Sequence, residues 1–273
     1  MTQYQIYTAT IYIFVFILGA CIGSFLNVCI YRMPLGESLI KRNSHCMTCG
    51  TEIRKRDLIP IISWCCLRGK CHSCGARISP RYTVVEALNA LFYMFIFWHF
   101  DGVIHPMPSI LTCLLYSALI VVFFMDWDTQ LINSFVCIFI GLLGVASIFL
   151  TDELTGLTLK SHIIGFFAVS VPLLIISLAS KEKAMGRGDV YLMAGAGLFL
   201  GTQGALVALA IGLITGSIGG IIMKHSSGKS QFAFGPFLSI GIAVAAIYSN
   251  EIGNWYMEFT GLEEMLAEAA TVI

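Results

Sequence analysis

The sequence predicts an all-α polytopic membrane protein, with about eight transmembrane helices and one small loop domain outside them. Of its 273 residues, 57% are hydrophobic and only 12% are charged, against roughly 25% charged in an ordinary soluble domain. Mean hydropathy is +0.83. The apolar residues gather into stretches of about 20, the length that crosses the hydrocarbon as a helix. The lysines and arginines, in turn, crowd into a few connections. Formal net charge is zero, so no nucleic-acid partner is expected.

Taken in order, the spans are expected at about 9–31, 83–100, 109–125, 132–150, 161–179, 190–203, 204–223 and 232–249. Only Thr202-Gln203-Gly204 divides the sixth from the seventh, so seven spans is the competing count. Charge favours eight. Ten basic residues lie from Arg32 to Arg81; Lys181, Lys183 and Arg187 form a second group, and Lys224 and Lys229 a third. With eight spans all of these share one face and Lys160 stands alone opposite. The positive-inside rule makes the basic face cytoplasmic, leaving both termini outside with Asp101, Asp152, Glu153 and the acidic run from Glu251 to Glu268. No basic residue precedes the first span, whereas Arg32, Lys41 and Arg42 follow it, so it reads as an anchor rather than a cleavable signal. The chain thus divides into a first helix (1–31), a cytoplasmic loop (32–82), a seven-helix membrane core (83–249) and an acidic tail (250–273).

The loop carries two CxxC pairs, Cys46/Cys49 and Cys71/Cys74. Two such knuckles supply four thiolates in a tetrahedron, the geometry of a structural zinc site with no open position for catalysis. A segment this short buries little core and gains from a metal staple. Redox pairs or disulfides are the alternatives, and a reducing cytoplasm disfavours lasting disulfides. Cys65 and Cys66 are expected to be spectators, as are Cys21, Cys29, Cys113 and Cys137 within apolar helices.

Acids at the ends of membrane spans call for a reason, because an ionised carboxylate near lipid is costly. Asp126-Trp127-Asp128 closes the third span and Asp189, after Gly186-Arg187-Gly188, opens the sixth. Both places fall on the cytoplasmic face. Two carboxylates meeting around one water split their pKa values and can serve as acid and base, the chemistry of an aspartyl protease. Solvated loop residues at 126 and 128, and a helix cap at 189, fit the spacing as well. On a helix Asp126 and Asp128 lie about 200° apart and cannot face one partner.

Five ordered stretches resemble the type IV prepilin peptidases, membrane aspartyl proteases with a GxGD motif: Gly19 to Pro34, the two CxxC pairs, Ser79-Pro-Arg-Tyr-Thr-Val-Val-Glu86, Asp126-Trp-Asp128 and Gly186-Arg-Gly-Asp189. The resemblance spans residues 19–240. It implies a multi-pass enzyme of the bacterial inner membrane with its active site facing the cytoplasm. Asp126 and Asp189 would be the catalytic pair, with Asp128, Gly186 and Gly188 supporting them. The substrates would be type IV pilin or pseudopilin precursors, cut after a short basic leader. Many members then methylate the new N-terminus with S-adenosylmethionine; Gly19, Gly23 and Asn27 of the first helix, where small residues admit a close approach, are the region expected to serve that step. Thr83, Asn133 and Tyr191 depart from frequent family residues, and none of them removes a carboxylate. A proton-coupled transporter with intramembrane acids is the alternative from another class. It would place its acids near the midplane and has no use for four cysteines.

Overall fold

Helices cover every stretch expected to be apolar and helical in the computed structural model, which describes residues 2–41, 43–150, 156–182, 185–227 and 233–261. Arg42, Asp152, Glu153, Lys183, Lys229 and the acidic tail beyond Gly261, used above to orient the chain, lie outside the described residues. Extended pairing among the described residues is limited to two isolated bridges, His45 with Glu52 and Lys70 with Arg77. The chain divides into two units, Met1–Asn133 and Ser134–Ile273.

In the first unit, α1 (Gln3–Arg32) starts with a capping box between Thr2 and Gln5, which satisfies two of the otherwise orphaned amides. The loop follows, with a short helix α2 (Ile62–Cys66), and leads into α3 (Arg81–His99) and α4 (Pro106–Thr129). Gly19 and Gly23 let α1 approach α3: a Cβ on Gly23 would lie 2.7 Å from the Glu86 Cα, and one on Gly19 would lie 2.8 Å from the Ala90 Cα. This seam is tied by buried polar groups. Asn89 Nδ2 donates to the Gly19 carbonyl at 2.7 Å, and Ser117 Oγ of α4 donates to Asn89 Oδ1 at 2.9 Å. The Tyr93 hydroxyl joins Ser117 Oγ at 2.9 Å. Within lipid such groups must find partners inside the protein, so three helices are registered by one chain of bonds.

The second unit holds α5 (Ser134–Leu150), α6 (Gly156–Ala179), α7 (Arg187–Ser227) and α8 (Gly235–Thr260). The spans expected at 190–203 and 204–223 form a single element here, α7, which is broken at Gly201 (φ 73°, ψ −177°). That backbone conformation is open only to glycine. α6 covers the polar groups around the break: Ser161 Oγ accepts from the Thr202 amide at 3.2 Å, the Thr202 hydroxyl donates to the Ser161 carbonyl at 2.8 Å, and His162 Nδ1 meets the Leu198 carbonyl at 2.8 Å. Gly165 and Gly197 pack α6 backbone to backbone against α7. The first half of α7 rests on α5 and α6, through Gly144, Gly195 and Gly197, and the second half on α8, through Gly212, Gly216 and Gly241.

Five described helices are long and apolar enough to cross a membrane, α1, α4, α6, α7 and α8, and α5 is apolar but shorter. Large apolar side chains face outward: Ile13, Phe14 and Ile17 on α1, Phe135, Leu142 and Phe149 on α5, Ile175 on α6, Ile221 on α7. Asn89, Ser117 and Ser177 face inward. Apolar outside with polar groups sealed within suits lipid as the solvent. The chain is an all-α membrane protein.

Candidate functional site

The cysteine loop is built twice at a spacing of 25 residues. Cys46 and Cys71 each give their amide to a carbonyl five residues on, Thr51 at 2.9 Å and Ala76 at 2.8 Å. Gly50 and Gly75 each return an amide to the carbonyl of that first cysteine at 2.9 Å, with φ of 69° and 72°. A side chain is strained in that left-handed turn, which is why glycine follows each second cysteine. The result brings four sulfurs, of Cys46, Cys49, Cys71 and Cys74, within 4.8 Å of one another. His72 is not among them, and Cys65 and Cys66 lie on α2.

Electrostatics at the cluster fit a cation. The Cys49 and Thr48 amides draw the Cys46 thiol down to about 6. The Thr51 hydroxyl and amide lower Cys49 as well. At Cys74 the Ala76 amide also pulls down, but burial and the neighbouring sulfurs of Cys49, Cys71 and Cys46 outweigh it and push the thiol up to about 11. Four thiols this close cannot all ionise alone, and a bound divalent ion reverses that balance. The donor set and its size fit tetrahedral zinc, whose bonds to sulfur are about 2.3 Å.

Asp126 and Asp128 both lie in the last turns of α4 and point apart, as helical geometry requires. Asp126 is 5% exposed. Its carbonyl accepts the amide of Gln130, a left-handed residue (φ 54°) that ends the helix. Asp128 is part-exposed and gripped by Arg81, the first residue of α3, with Nη2 2.7 Å from Oδ2 and Nη1 3.0 Å from Oδ1. Asp189 is the third residue of α7 and is 7% exposed. Its Oδ2 lies over Gly186, 3.8 Å from where a Cβ would stand, and Gly188 sits between in the chain. Asp126 belongs to the first unit and Asp189 to the second.

Gly19, Gly23 and Asn27 share one face of α1, and α3 occupies that face at both glycines. Asn27 Nδ2 donates to the Tyr82 carbonyl at 3.0 Å, while its buried Oδ1 has no partner. One turn along α3 from Tyr82, Glu86 Oε2 accepts the Ile61 amide at 2.7 Å. Ile61 has φ 62° and ψ −54°, and Ile62 donates to the Pro60 carbonyl at 2.6 Å. This is a γ-turn of the rare, strained hand, held shut by a buried carboxylate. Arg81, Glu86 and Asn89 were not singled out by sequence reasoning for any role. Arg81 and Glu86 stand in the matching stretch Ser79 to Glu86, while the signal at Asn89 was an amide group on a helix that must meet lipid.

Residues 17–100 match the bacterial peptidase A24 N-terminal domain, and residues 113–221 match the type IV leader peptidase family. A prepilin leader peptidase/N-methyltransferase of Pseudomonas aeruginosa is 30% identical over 279 residues, covering 90% of this chain and 93% of the relative. A type 4 prepilin-like proteins leader peptide-processing enzyme of Escherichia coli is 33% identical over 273 residues, covering 90% and 96%. A prepilin leader peptidase/N-methyltransferase of Myxococcus xanthus is 32% identical over 219 residues, covering 80% of this chain but 64% of that relative. No solved structure matches the chain.

Proposed function

Since this chain belongs to the type IV leader peptidase family, we propose that it is an aspartic endopeptidase that removes the leader from type IV prepilin or pseudopilin precursors, with Asp126 and Asp189 as the acid–base pair. One observation carries the assignment. Among the described residues three carboxylates are buried, Glu86, Asp126 and Asp189, and of these Asp126 and Asp189 stand in the Asp126-Trp-Asp128 and Gly186-Arg-Gly-Asp189 stretches that the family resemblance marks as catalytic. In the proposed reaction one carboxylate takes a proton from the attacking water while the other, protonated, donates to the scissile carbonyl oxygen. Gly186 and Gly188 leave room beside Asp189 for an extended substrate strand. A transporter reading explains neither the cysteine cluster nor the relatives' names, and nothing supports it.

Zinc is the metal proposed for Cys46, Cys49, Cys71 and Cys74, in a structural role. The relatives' names carry a second activity, N-methylation, for which S-adenosylmethionine is the proposed methyl donor. Bound, it would supply an electrophilic methyl group. The unpartnered Asn27 oxygen, on the α1–α3 seam, is acceptor chemistry suited to a cationic donor or to the new ammonium terminus. Gly19 and Gly23 would serve by letting α3 approach and so fixing Asn27. The site is proposed to face the cytoplasm of a bacterial inner membrane, with both termini periplasmic. Eight crossings follow if α3 and α5 span and α7 divides at Gly201.

The test is mass spectrometry of a prepilin incubated with the purified protein in detergent. The unaltered protein removes the leader. Asp126→Asn and Asp189→Asn, inserted and accumulated normally, each lose roughly 10²–10⁴-fold in rate. Full cleavage by Asp189→Asn would sink the pair.

A further inference from the structure

Asp126 opens the last turn of a helix, where frayed ends are the norm, yet a proton-transferring group must be held within a fraction of an ångström. One side chain from another helix grips this end of α4. Arg81 makes the two-pronged contact to Asp128 described above, and its Nη2 also donates to the Phe124 carbonyl at 3.3 Å. Its guanidinium lies 4.8 Å from the Phe124 ring centroid on α4 and 5.7 Å from that of Tyr31 on α1. Tyr31 in turn stacks on Tyr82, the next residue of α3, at 5.2 Å. Phe124 and Asp128 stand two residues to either side of Asp126. The cation therefore grips α4 just before and just after the buried carboxylate, and ties that turn to the ends of α1 and α3. A planar fork that pairs with a carboxylate, stacks on rings and never loses its charge is specific to arginine. A cation at a helix C-terminus also complements the dipole.

We infer that Arg81 is a positioning residue for the proposed peptidase reaction, holding the Asp126 turn of α4 with Asp128 as its anchor. Asp128 on this reading exchanges no proton with substrate. The inference rests on the peptidase assignment, so the experiment separates the two. Prepilin cleavage by the full-length protein in detergent is followed as kcat and KM across pH for the unaltered protein, Arg81→Ala, Arg81→Lys, Asp128→Asn and Asp128→Ala. Arg81→Ala should lose on the order of 10²-fold in kcat with KM little changed. Arg81→Lys keeps the charge but not the fork and should fall between; it carries the test should Arg81→Ala fail to insert. Asp128→Asn still accepts from the guanidinium, so it should outperform Asp128→Ala and keep both limbs of the pH profile in place. An Arg81→Ala or Arg81→Lys protein with unaltered kcat overturns the inference, as does an Asp128→Asn protein that loses a limb of the profile. An unaltered protein that leaves prepilin intact overturns the peptidase assignment, and this role with it.

Discussion

Glu86 and Arg81 sit five residues apart on α3 and do different work. Arg81 reaches across to α4, whereas Glu86 turns back to the loop and holds the amide of Ile61 in a conformation that a β-branched residue seldom adopts. A hydrogen bond to a charged acceptor contributes about 1.5–3 kcal/mol, of the same order as the 1–3 kcal/mol that such backbone strain costs. Glu86→Gln keeps the shape and removes the charge. It should speed amide hydrogen exchange at residues 59–63 while leaving the zinc content unchanged; exchange at the unaltered rate would show that the turn is held by something else. Both residues were visible in the sequence as charges in the motif Ser79 to Glu86, but their partners lie 47 and 25 residues away. Spacing along the chain says nothing about contacts of that kind. Asp126 and Asp189 were more legible, because a carboxylate at the end of an apolar run demands a reason wherever its partner is.

At the scale of elements, the knuckles show why local patterns read well. Each is closed by bonds within six residues, with a glycine where the chain must turn left-handed, so CxxCG by itself predicts the shape. The structure adds that the two knuckles bring their sulfurs to one point. Purified protein should therefore hold about one zinc per chain, measured by elemental analysis. Cys46→Ser with Cys71→Ser should release it and expose residues 44–78 to protease, and full zinc retention would refute the four-sulfur site. The break in α7 was less legible. Sequence placed a division at Thr202-Gln203-Gly204, and the helix breaks at Gly201 instead. Ser161 and His162 of α6 decide the position, since they supply the partners for the polar groups near the break.

For the molecule as a whole, α7 poses a problem of length. Arg187–His225 is 39 residues, about 58 Å of helix at 1.5 Å per residue, against roughly 30 Å of hydrocarbon. The break at Gly201 is proposed to divide this length between two crossings, a shorter and a longer one, and the charge asymmetry then sets the proposed orientation. Alkaline phosphatase fused after residue 160 should be active and one fused after residue 80 inactive; the reverse pattern would invert the topology. Composition, apolar run lengths and cysteine spacing were enough to determine an all-helical membrane chain with a metal-ready loop, because each depends on residues near one another in sequence. The tertiary structure alone decided which acids are buried, that Arg81 takes Asp128, that Glu86 clamps Ile61, and that α3 fills the glycine face of α1. Those outcomes depend on which helices meet and at what depth, which is set by the packing of side chains tens of residues apart.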